Sequence, residues 1–182
     1  MLPECEPEPD CLMKKSRKQI AGTPLPDRIP ELRRVLVPTD LSAWSNVAIA
    51  YAYSILHSGG TVCIVHVEQA FEFPNPIHAR HAGAAQRLEE ERARQLNACR
   101  GRLRTLVPPQ AKRRGILTEF EVLHEARPAA AICRAAERFG ADLICMASHG
   151  RTGLSKAILG SVAQAVMSRS RVPVLVVRPS AA

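Results

Sequence analysis

Met146-Ala147-Ser148-His149-Gly150-Arg151-Thr152-Gly153, followed at Gly160-Ser161 by a short helical pattern, decides the fold. The stretch comes directly after the apolar run Ala141 to Met146, which reads as a buried strand. A strand that opens into glycines and then into a Ser-capped helix can turn several backbone N–H groups toward one ligand. Those donors and the positive end of the helix dipole make an anion site, most often for phosphate. The arrangement suggests a nucleotide.

Upstream, short apolar runs alternate with helical ones. Val35-Leu36-Val37 is a first strand ended by Pro38-Thr39-Asp40, and Ser42 can cap a helix running to about His57. That helix is expected to place Val47, Ala50, Tyr51, Ser54 and Ile55 on one face. Gly59-Gly60 stops it before a second strand, Thr61 to Val67. A long helix from about His81 to Leu106 keeps Leu88, Leu96, Cys99, Leu103 and Leu106 on one face, and Pro108-Pro109 closes it. Ile116 to Leu123 is a third strand, Pro128 to Phe139 a helix ended by Gly140, and Leu143 to Met146 the fourth strand. The Ser161 helix runs to about Ser170, and Val174 to Val177 is the fifth strand.

Strands alternating with helices imply right-handed crossovers and a parallel sheet covered on both faces. In such a sheet a ligand sits beyond the carboxyl ends of the strands, where strand order reverses. If strands one and four are neighbours, Pro38-Thr39-Asp40 and the glycine loop meet at one crevice.

The chain of 182 residues is long enough to bury a core, and with aromatics at only 4% that core must be aliphatic. No apolar run approaches a membrane span, and the acidic Met1-Leu2-Pro3-Glu4 start lacks a signal pattern, so a cytoplasmic location is expected. Residues 1–30, rich in proline with acids before lysines, read as a flexible extension; 31–180 form the domain. The net charge of +8 is densest from Arg100 to Arg114, with almost no aromatics interleaved, so it reads as a solvated helix end and basic loop rather than a specific nucleic-acid surface. The six cysteines form no CxxC pair, and Cys63, Cys99, Cys133 and Cys145 read as buried free thiols. Cys5 and Cys11 fall in the extension, and no histidine pairs with another ligand at a metal spacing, so no metal site is expected.

With these residues in view, the chain resembles the universal stress protein family over roughly Arg33 to Arg178. The resemblance is carried by Val35-Leu36-Val37-Pro38-Thr39-Asp40, Val65-His66-Val67, Ala141-Asp142-Leu143-Ile144, and Gly160-Ser161-Val162 leading to Val172-Pro173-Val174-Leu175-Val176-Val177. It implies an α/β fold, a three-layer α/β/α sandwich with a five-stranded parallel sheet of order 3-2-1-4-5, adenine-nucleotide alpha-hydrolase-like. The family's nucleotide binders carry G-x2-G-x9-G-[ST]; here Gly150 is the second glycine, Gly160-Ser161 the final pair, and Ala147 replaces the first glycine. Alanine there narrows the approach of phosphate or ribose and costs little only where φ is negative.

The resemblance implies that Pro38, Asp40 and Val67 line the adenosine, Met146 and Ala147 pass the ribose, and Gly150, Arg151, Gly160, Ser161 and Val162 hold the phosphates. Asp40 has the alternative of capping the first helix, Ser161 caps its own helix in either case, Arg151 can be merely solvated, and His149 orders the loop rather than serving as a base. The cofactor so implied is ATP, with Mg²⁺ on the phosphates, or AMP or ADP. No catalytic base, nucleophile or second carboxylate stands out, so at most slow ATP hydrolysis is expected. A non-nucleotide, dimeric interaction module of the same fold is the alternative, and both readings include a homodimer through the edge strand Val174 to Val177. An adenylating or amidating enzyme is disfavoured because no glycine follows strand one, and Gly153-Leu154-Ser155-Lys156 lacks the Walker A spacing.

Overall fold

A computed structural model describes residues 30–56, 58–68, 84–149 and 159–178. The proposed extension lies outside them except for Pro30, as do Gly150 and Arg151. The chain runs β1 (Arg34–Thr39), α1 (Ala43–Ile55), β2 (Thr61–Glu68), α2 (Ala84–Arg104), α3 (Pro109–Arg113), β3 (Leu117–His124), α4 (Pro128–Phe139), β4 (Leu143–Ala147), α5 (Ser161–Arg169) and β5 (Val174–Val177). All five strands pair in parallel in the order β3-β2-β1-β4-β5. No helix among the described residues is long and apolar enough to cross a membrane.

Strand alternation sorts the apolar side chains into two cores. Val35, Val37, Val62, Ile64, Cys145 and Val177 pack with Ala48, Ile49 and Ala52 of α1 and with Leu103 and Ala111. Leu36, Cys63, Val65, Ile144 and Met146 pack on the other face with Ile132, Ala135 and Ala136 of α4 and Ala163 and Val166 of α5. Burial pushes the Cys145 thiol up to about 12; Cys63 reaches about 12 through burial, with the Glu121 and Glu119 carboxylates adding to it. Both thiols are therefore inert at neutral pH.

Asp142 ties the start of the sheet together. Its Oδ2 accepts from the backbone N–H groups of Arg33 and Arg34 at 2.8 Å each, and Asp142 N donates to Arg34 O at 2.8 Å. Arg34 then stacks its guanidinium 4.1 Å from the Phe139 ring centre and donates through Nε to Phe139 O at 2.7 Å. The pairing of β1 with β4 nevertheless covers only Val35↔Leu143 and Leu36↔Ile144, whereas β1 pairs with β2 along its whole length. The cause is Pro38. Arg34 O receives Asp142 N and Arg33 O receives Thr61 N, so even-numbered residues of β1 address β4 and odd-numbered ones address β2. At Pro38 the group addressing β4 has no N–H, and the ladder stops there.

Three readings of the sequence need correction. Helix α1 buries Ser45, Ala48, Ile49, Ala52 and Tyr53, whereas Ala50, Tyr51 and Ser54 of the expected face are exposed. Val47 and Ile55 of that expected face do pack against this core, half-buried beside Ile49 and Tyr53. Pro109 does not merely close α2: it opens the short helix α3, where its missing N–H is no loss. The cap of α5 is Gly160, whose carbonyl accepts from Gln164 N at 3.0 Å; Ser161 is the first helical residue and its side chain makes no capping bond. Gly140 ends α4 as expected, with φ 64° in the left-handed region.

Candidate functional site

The carboxyl ends of β1, β2 and β4 and the amino ends of α1 and α5 surround a cleft of about 1120 Å³. Pro38, Asp40, Val67, Met146, Ala147, Gly160, Ser161 and Val162 all line it, so every sequence-nominated site residue that lies within the described residues is gathered at one place. The cleft opens where the β1–β4 ladder ends at Pro38, which is the strand-order switch.

The β1–α1 turn is tightly determined. Thr39 Oγ1 donates to Asn46 Oδ1 at 2.8 Å, accepts from Leu41 N at 2.9 Å and lies 2.9 Å from Ser45 Oγ. Asp40 Oδ1 accepts from Ser42 N at 3.0 Å, and Ser42, not Asp40, caps α1 by accepting from Ser45 N at 3.1 Å. Between these bonds Leu41 is held at φ 65°, the one non-glycine in the left-handed region among the described residues. Such a conformation costs on the order of 1–3 kcal/mol and persists only where its surroundings impose it, commonly at ligand clamps. Ala147 has no positive φ, so the alanine in place of the family's first glycine carries no backbone strain. Its methyl group is buried in the α1-side core.

On the opposite lip, Ser148 N donates to Val177 O and Gly160 N donates to Ser148 O, both at 2.8 Å. A Cβ on Gly160 would sit 3.1 Å from Ser148 O, so the glycine answers a close approach of two backbones; its φ of −61° suits any residue. The first N–H groups of α5, at Ser161, Val162 and Ala163, have no intrahelical acceptor, and all three residues line the cleft. His149 Nδ1 lies 2.9 Å from Ser148 Oγ, and its buried Nε2 has no partner among the described residues. The loop-ordering role expected of His149 fits the first contact.

Sequence spacing nominated no metal cluster, but the fold gathers His66, Glu68 and Cys99, whose potential ligand atoms lie within 4.8 Å of one another. They were invisible because β2 supplies two and α2 the third. His66 Nδ1 is 2.8 Å from Thr39 O, and Glu68 Oε2 is 3.3 Å from His124 Nδ1. Burial, then the Glu68 carboxylate, raises the Cys99 thiol pKa, and the Arg102 guanidinium opposes them.

Comparison with known proteins agrees with this architecture. The model of the universal stress protein family matches residues 31–178. The universal stress protein MJ0531 of Methanocaldococcus jannaschii is 32% identical over 148 residues, 80% of this chain and 82% of its own length. The solved structure of MJ0577, from the same organism, superposes with a TM-score of 0.66 at 25% identity, covering 84% of this chain and all of the other. A universal stress protein crystallised with cAMP shares the fold, with a TM-score of 0.55 at 24% identity over 83% of this chain and all of that one. The order β3-β2-β1-β4-β5, the matched span and these relatives together make the chain a member of the universal stress protein family.

Proposed function

We propose that this chain is a cytoplasmic stress-response protein that binds ATP in the β1–β4 cleft and signals through the bound state. The observation that carries the reading is the convergence, on one cleft, of an apolar wall and a set of free amides. Pro38, Val67 and Met146 supply the wall for an adenine, and Asp40 stands at its edge to accept from ribose or base. The amides of Ser161 and Val162, at the positive end of α5, face the phosphates, and the Ser161 hydroxyl, not spent on capping, is available to them. His149 Nε2, buried and without a partner among the described residues, suits a phosphate oxygen. Gly150 and Arg151 complete this set by resemblance. The cAMP-bound fold relative supports an adenine nucleotide as the ligand class.

Mg²⁺ would arrive on the phosphates. Turnover, if measured, is expected to be slow. Protein purified without added nucleotide and then denatured should release an adenine nucleotide on chromatography. Calorimetric titration of emptied protein should show ATP or AMP binding tighter than millimolar. Release of none, with no heat up to millimolar ligand, rejects the reading.

The second part of the proposal is a homodimer through β5. Pro173 O and Val177 O accept from Ile144 N and Ser148 N, so alternate residues of β5 address β4. Val174 and Val176 therefore turn their backbone groups away from the sheet, at an edge that β4 does not cover. Val176→Pro removes an outward N–H without breaking a bond to β4. Light scattering should show a dimer for the parent and a monomer for this variant; an unchanged dimer excludes the β5 edge.

A further inference from the structure

We propose that His66, Glu68 and Cys99 form a binding site for a zinc-class divalent ion on the α2 side of the cleft. Their three ligand atoms fall within 4.8 Å of one another. A tetrahedral ion with bonds of about 2.0–2.3 Å holds its donors about 3.5 Å apart, so the side chains need to close by about one ångström. No hydrogen bond joins any two of the three among the described residues. They are placed together without satisfying one another. His66 and Cys99 are only 5% and 6% exposed, and yet all three residues line the cleft, which provides a route for entry.

The supports around the trio are those a metal site needs. Thr39 O can only accept, so His66 Nδ1 carries the proton and Nε2 keeps its lone pair; a backbone carbonyl fixing the tautomer is the usual second partner of a ligating histidine. His124, paired with Glu68 across β2 and β3, steadies one carboxylate oxygen from the side. A nitrogen, oxygen and sulfur set selects zinc or a related transition ion over Mg²⁺, which prefers oxygen alone. Three protein ligands leave a fourth position toward the cleft, the pattern of a site that also takes water or a small ligand.

The site does not depend on nucleotide binding. Val67 and Met146, invoked for adenosine, pack on the α4–α5 side of the sheet, whereas alternation puts His66 and Glu68 on the α1–α2 side. The two proposals can therefore fail separately.

The test uses the full chain carrying Cys5→Ser and Cys11→Ser, which removes the thiols of the first thirty residues, stripped with a chelator and free of nucleotide. Titration with Co²⁺ should give one equivalent bound, a thiolate-to-cobalt charge-transfer band in the near ultraviolet, and loss of that band on adding Zn²⁺. Cys99→Ser should abolish the band and weaken Zn²⁺ more than about 100-fold, beyond the 10–100-fold of an outer-shell change. Cys133→Ser, whose thiol lies outside the cluster, should keep both. Glu68→Gln provides a second variant should Cys99→Ser fold poorly, and should lower Zn²⁺ affinity with an unchanged far-ultraviolet spectrum. Absence of the band in the parent, its survival in Cys99→Ser, or unaltered Zn²⁺ affinity in a folded Glu68→Gln overturns the proposal.

Discussion

Gly160→Val is expected to weaken ATP binding by more than about 100-fold, a loss of about 2.7 kcal/mol. The first added carbon would stand 3.1 Å from Ser148 O, and the two γ carbons have to find space between α5 and the end of β4. The bond from Gly160 N to Ser148 O, now 2.8 Å, must lengthen, and the amides of Ser161 and Val162 move with it. Overpacking of this kind also costs about 1–3 kcal/mol of stability, so binding must be measured well below the melting temperature. Ala147→Gly is the informative companion. Because Ala147 is neither strained nor at positive φ, glycine should leave ATP affinity within about threefold while costing about 0.5–1 kcal/mol of stability. A large gain in affinity would mean that the methyl group does obstruct the ligand. Equal affinity in the parent and Gly160→Val would remove the ligand from this lip.

Arg114→Met is expected to destabilise the domain by about 2–3 kcal/mol and to lower the melting temperature by about 5–10 °C. Helix α1 has no basic residue in its last turn, and its terminal carbonyls would otherwise lack partners. Arg114, arriving from the end of α3, donates through Nη1 to Tyr53 O at 2.6 Å and through Nη2 to Leu56 O. Its charge also complements the negative end of the α1 dipole. Lysine, a single point donor, should recover only part of the loss. Urea titration of the three proteins checks the order. ATP affinity should not change, because Arg114 acts at the carboxyl end of α1 and the cleft forms at the amino end. A stability change below about 0.5 kcal/mol would show the clamp to be ornamental.

This second prediction also shows where sequence reading falls short. Arg114 belongs to the densest basic segment and resembles its neighbours in type; only the tertiary fold makes it a cap. The strands were legible because runs such as Val35-Leu36-Val37 and Thr61 to Val67 are apolar on both faces, as burial from two sides requires. Helix α4 was legible too, from proline at one end to glycine at the other. The inward face of α1 was not. Val47, Ala50, Tyr51 and Ile55 compete with Ala48, Ile49, Ala52 and Tyr53, so apolar residues surround the helix and periodicity cannot choose. Packing chose the side of Ala48, Ile49, Ala52 and Tyr53, with Val47 and Ile55 half-buried at its border. Of the cleft, the resemblance nominated Pro38, Asp40, Val67, Met146 and the Gly160 turn, and they line one cavity because each sits near the end of a strand or the start of a helix. The left-handed Leu41 and the His66–Glu68–Cys99 group were hidden, since one depends on a network around Thr39 and the other on docking of α2 against β2 and β3.

The missing hydrogen at Pro38 has a mechanical meaning. With the β1–β4 ladder ending at Leu36 and Ile144, the sheet is two zipped flaps, β3-β2-β1 and β4-β5, stitched near one end of a short seam. Beyond the last rung the chain holds the two flaps together through side-chain packing, with α1 laid across β1 and β4, rather than through backbone bonds. A nucleotide held as proposed, between Pro38 and Val67 on one flap and Met146 on the other, would touch both flaps at the level where proline forbids a rung. Under the proposed function, filling the cleft would add a link across that seam, and the sheet would be firmer with the nucleotide than without it.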